Sequence, residues 1–89
     1  MNVNHPVITD ALHCAQLFRL GRDIEAALKM VDLIDMIVPE FASRPASQQA
    51  QLAHVMSTIL ACQERQDWLG VADTLAYELT VLVRACQVD

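Results

Sequence analysis

Chemistry needs reactive side chains brought together, and this chain offers few such sets. His13 and Cys14 are adjacent, and His54 and Cys62 stand eight positions apart with no ligand between them. Neighbouring positions on a helix diverge by about 100°, so neither pair converges on a metal by itself. The chain lacks both HExxH and the ExxH pairing of di-iron bundles. Nucleophilic catalysis would need a Cys–His pair with an orienting acid. Asp10, His13 and Cys14 crowd one helical segment, but 89 residues in helices rarely provide a cleft around such a set. Asp32 and Asp35 share a helix side at i,i+3, where paired carboxylates are ordinarily solvated rather than set up for acid–base work. Gly21 and Gly70 stand alone, so there is no phosphate-cradling loop. The expectation is no catalytic residue, no cofactor and no metal.

Two aromatic residues are potential anchors for a partner. Trp68 falls on an apolar stripe and is expected to seal one end of a core. Tyr77 shares a polar side with Asp73 and Arg84, which makes it the better surface candidate.

These residues sit on segments with helical spacing. No sustained period-two alternation and no Asn-Gly-type hairpin dipeptide occurs. The first helix is expected over about 7–20, opened by Pro6 and closed by Gly21. Its inward face is Val7, Ala11, Cys14, Ala15 and Phe18. The second is expected over 23–41, with Asp23 and Glu25 at its positive end. Pro39 should kink it, or end it near Val38. The third is expected over 47–66, with Ser47 as cap and Leu52, Val55, Met56, Ile59, Leu60 and Cys62 inward. The fourth, over 67–86, is capped by Asp67 and turns Trp68, Val71, Ala72, Leu75, Leu79, Leu82 and Val83 inward. Short connections favour antiparallel neighbours. The expected fold is all-α: one domain over 1–89, an antiparallel four-helix bundle of two helical hairpins. Leu20-Gly21-Arg22 followed by Glu25-Ala26-Ala27 resembles the interior of a tetratricopeptide unit, but no second copy follows at that period.

The second segment carries too much apolar surface for one face. Ile24, Ala27, Leu28, Val31, Ile34, Val38 and Phe41 form a broad side, and Ala26, Met30, Leu33 and Ile37 extend it. Only Glu25, Lys29, Asp32, Met36 and Glu40 are left for solvent, whereas a surface helix needs an apolar arc of about 100°. This helix therefore either runs through the core or offers a second face to a partner. Ala26, Met30, Leu33 and Ile37 are the candidate contact residues, together with Asp35 and Tyr77. Asp35 is discordant, because its angle sets it between Ile24 and Leu28. It is expected at the rim, paired with Arg19 or Arg22, or facing a partner.

Charge and composition narrow the partners. The chain is 54% hydrophobic with a net charge of −5, too apolar for disorder. The acidity argues against nucleic acid. No apolar run approaches the ~20 residues of a membrane span. Met1 to Pro6 lacks a basic and an apolar region, so no secretory signal is expected. Three cysteines without CxxC spacing read as small buried hydrophobes in a reducing cytosol. The second segment concentrates the acids, five against one lysine. A basic amphipathic helix would complement it, although acids also keep an apolar domain dispersed.

Residues 63–79 read Gln-Glu-Arg-Gln-Asp-Trp-Leu-Gly-Val-Ala-Asp-Thr-Leu-Ala-Tyr-Glu-Leu. This stretch resembles the last helix of small uncharacterised bacterial helical proteins, similar in size and acidity to flagellar and type III export chaperones. The resemblance implies a bacterial source and a helical bundle, and no functional residue follows from it. The expected function is a non-enzymatic cytoplasmic protein-binding module, a chaperone or accessory factor for motility or secretion. Self-association through the second helix, giving a structural or regulatory homodimer, is the alternative. A small enzyme or metal protein is the remote third.

Overall fold

The computed structural model describes residues 5–87, with the side chain of the last left aside. The reading of Met1 to Pro6 as lacking a leader falls mostly outside that range. The described residues form four helical runs: α1 (Pro6–Arg19), α2 (Asp23–Ala42), α3 (Ala46–Glu64) and α4 (68–87). The last is continuous but not uniform. Trp68–Asp73 and Thr80–Gln87 are α-helical, and Thr74–Leu79 between them forms a π turn.

The two tight connections are built alike. After α1, Gly21 adopts φ 77°, its N–H donates to the Phe18 carbonyl, and the Arg22 N–H donates to Leu17. After α3, Gln66 adopts φ 57°, its N–H donates to Gln63, and the Asp67 N–H donates to Cys62. Both are Schellman turns, which satisfy the last helical carbonyls through a left-handed residue. Asp67 then caps α4, accepting from the Gly70 N–H at 3.0 Å. At the other end of the first hairpin, His5 caps α1. Its Nδ1 accepts from the Val7 N–H at 3.1 Å, which leaves the ring proton on Nε2, facing Glu40 at 3.6 Å.

α2 ends at Ala42, one residue beyond the expected 41, and runs past Pro39 rather than taking the alternative end at Val38. Phe41, buried on the inward face, holds that last turn in place. The Gln49 amide reaches back to donate to the Ala42 and Arg44 carbonyls, at 3.2 and 2.8 Å. Ser47 is not a cap: α3 starts one residue earlier, with Pro45 at the cap position, and Ser47 falls inside its first turn. The loop between α2 and α3 is therefore only 43–45.

The first hairpin, α1 with α2, is antiparallel. Cys14 meets Ala26, Asp10 meets Lys29 and His5 meets Glu40, a descending series against an ascending one. The hairpins join along α1 and α4, while α2 packs on α1, meets α3 only sparingly and makes no close backbone approach to α4. The shortest dimension, 19 Å, is about two helix diameters. α1 is thus central, which is why Ile8 and Leu17 are buried beside its expected stripe. Phe18 stacks on the half-buried Trp68 with centroids 5.8 Å apart, and Arg19 bridges to Asp73 at 3.0 Å. These two contacts pin the hairpins together. Among the described residues no helix is long and apolar enough to cross a membrane.

Candidate functional site

α2 is amphipathic in the opposite sense to the one its apolar arc suggests first. Ala26, Met30, Leu33, Ile37 and Phe41 form its buried stripe. Ile24 is 79% exposed, Leu28 65%, Val31 56% and Val38 52%. The four apolar residues expected to meet a partner (Ala26, Met30, Leu33 and Ile37) are in the core instead. The residues free to meet one are Ile24, Leu28, Val31 and Val38. The rotation is set by α1. Cys14 donates its thiol to the Ala26 carbonyl at 3.3 Å, an approach allowed by the small side chains of Ala11, Cys14, Ala15 and Ala26. Lys29 and Glu40, expected in solvent, border the buried stripe and face Asp10 and His5 of α1.

Asp35 is exposed and lies within the outward apolar stripe. It is paired with neither arginine weighed for it, since Arg19 holds Asp73 and Arg22 lies 3.7 Å from Glu25. Asp32 is exposed beside it.

A second apolar surface lies between α3 and α4. Ala50, Gln51, His54, Tyr77, Glu78 and Val81 line an open groove of about 620 Å³, floored by Val55 and Leu82. Tyr77 is exposed there, as its sequence position suggested. The π turn shapes this wall. Thr74 and Leu79, five apart, both point inward, while Glu78, four from Thr74, is exposed. In an uninterrupted α-helix Glu78 would lie beside the buried Val71. The wider turn swings it out. Thr80, itself buried, donates its hydroxyl to the Ala76 carbonyl at 2.7 Å and supports the turn. Val81 and Ala85 were not singled out in the sequence, and His54 was weighed only as a metal ligand, because a groove formed by residues facing across two helices leaves no periodic signal in either one.

Leu60, expected inward, is exposed. α3 has one extensive neighbour, so its buried arc narrows to Leu52, Val55, Ile59 and Cys62.

The three cysteines are buried and form no disulfide. Burial pushes the Cys14 thiol from 9.0 up to about 11, the Lys29 ammonium opposing and the Asp10 carboxylate adding to the rise. A thiol held protonated in this way is a poor nucleophile. Among the described residues no three His, Cys, Asp or Glu side chains cluster as metal ligands would.

What the fold and surfaces define is a small all-helical domain with apolar side chains left outward on α2 and in the α3–α4 groove. No family model matches the chain, and neither the curated proteins nor the solved structures contain a significant match.

Proposed function

We propose that this chain is a non-enzymatic, cytoplasmic protein-binding module built as an antiparallel four-helix bundle, with the outward face of α2 as its docking surface. One observation carries the reading: Ile24, Leu28, Val31 and Val38 are each more than half exposed on one line of one helix. Isolated exposed apolar residues are ordinary, but a contiguous row marks an interaction surface. The groove beside Tyr77 is a second seat of similar character. Three buried cysteines outside any disulfide fit a reducing compartment. The likeness of residues 63–79 to small uncharacterised bacterial helical proteins, themselves similar in size and acidity to export chaperones, adds little. Its conspicuous members have structural work here: Asp67 caps, Trp68 stacks, and Leu75 and Leu79 are buried.

The test separates the two surfaces. Leu28→Gln with Val31→Gln disables the α2 face, and Val81→Gln with Tyr77→Ser disables the groove. All four positions are exposed, so unfolding free energies should stay within about 0.5 kcal/mol of the parent. Cross-linking in the native cell should then lose its adduct with the α2 pair alone. An adduct that survives the α2 pair removes this reading.

A further inference from the structure

The spacing of the exposed row specifies what can lie on it. Ile24, Leu28, Val31, Asp35 and Val38 follow one another at intervals of four, three, four and three. That is the 3.5-residue alternation of a coiled-coil seam, whose natural occupant is another helix. One position of the five, Asp35, is a carboxylate with no ion-pair partner among the described residues. One flank of the seam is also acidic, with Glu25 and Asp32 both exposed, while the other carries Ala27 and Ile34. The lysine of α2 offers no relief, because Lys29 lies 3.2 Å from Asp10 on the α1 side.

A second copy of the chain fits this seam poorly. Parallel pairing brings Asp35 onto Asp35 within an apolar row. Antiparallel pairing lays the Glu25–Asp32 flank along its own equivalent. Like charges meet in both arrangements, and each costs affinity. Resting on the α2 docking reading, we infer that the seam accepts one helix of a different protein. That helix carries apolar residues at the same alternating spacing, with an arginine or lysine where it crosses Asp35 and further basic residues along the Glu25–Asp32 flank. Apolar layers supply the affinity, and Asp35 sets register by charge, as a single polar seam residue does in coiled coils.

Two synthetic helical peptides test this with the full chain. They share a leucine seam and differ only in carrying arginine or glutamate at one central seam position and along one flank. Binding is read by fluorescence anisotropy at physiological salt. The arginine peptide should bind at least about tenfold more tightly than the glutamate peptide. Asp35→Arg should erase or reverse that preference, and Leu28→Gln should weaken both peptides without moving the unfolding midpoint. Equal affinity for the two peptides, lost in Leu28→Gln, overturns the basic partner while leaving α2 as a docking face. No binding at all, or binding indifferent to Leu28→Gln, overturns both readings. A concentration-dependent dimer at physiological salt that Leu28→Gln abolishes makes the second copy the occupant and overturns the proposal.

Discussion

At the scale of single residues, three positions hold conformations or environments that their types do not favour. Gln66 sits in the left-handed region at φ 57°, where a residue with a Cβ is strained. Gln66→Gly should therefore raise stability by about 0.5–1 kcal/mol, the relieved strain outweighing the added freedom of the unfolded chain. A higher urea midpoint with unchanged slope would register it. Gly70 is the converse case. A Cβ there would collide with the capping Asp67 carboxylate and come within 2.9 Å of the Cys62 sulfur. Gly70→Ala should lose about 1–2 kcal/mol despite alanine's better helix propensity, because the cap must swing away. Cys14 carries a pH signature. Its thiol holds a proton to about 11 in the fold, against 9.0 for a free thiol. Between those values the unfolded chain has released a proton that the native state keeps, so stability falls as pH rises, by up to about 1.4 kcal/mol per unit. Below pH 9 the effect is absent. Denaturant titrations from pH 8 to 11 should show this decline in the parent and a flatter profile in Cys14→Ala, whatever cavity the substitution leaves.

At the scale of helices, α2 decides most. Leu33→Ala or Ile37→Ala should cost about 2–5 kcal/mol, since both side chains are fully buried. Asp35→Ala should leave stability unchanged, or raise it by about 0.5 kcal/mol through helix propensity alone, since no internal ion pair is lost. Thermal unfolding of these three variants checks the assigned rotation of the helix. A large loss at Asp35 with little at Leu33 would reverse it. The existence of α2 was legible in its sequence, and so was its surplus of apolar surface. Which half of that surplus turns inward was not. Both halves repeat at helical spacing, and hydrophobicity alone ranks them equally. What separates them is fit to α1: small residues around Cys14 and Ala26 allow close approach, and Lys29 and Glu40 find Asp10 and His5 across the interface. Those are pair properties, invisible in one segment read alone. The inward stripes of α1 and α4 were legible because each has a single dominant apolar side. The π turn that exposes Glu78 was not, because one residue's shift in helical phase depends on packing and on the hydroxyl of Thr80 rather than on any residue pattern.

The whole molecule sets its stickiness against its charge. An uncovered apolar seam favours self-association, while the net −5 and the acids on and beside the seam oppose it. The apolar contribution hardly depends on screening, whereas the repulsion does. At about 0.1 M salt the Debye length is near 10 Å, long enough for Asp35, Asp32 and Glu25 to act across a helix pair; at about 1 M it shrinks to roughly 3 Å. Sedimentation should accordingly give a monomer at moderate salt and tens of micromolar protein, and a weak, reversible dimer at molar salt. Leu28→Gln should hold the chain monomeric throughout. Asp35→Leu should bring the dimer down to moderate salt, because it completes the apolar row and removes its central charge. A dimer at high salt that ignores both substitutions would place the contact elsewhere, with the Tyr77 groove as the next apolar surface to test.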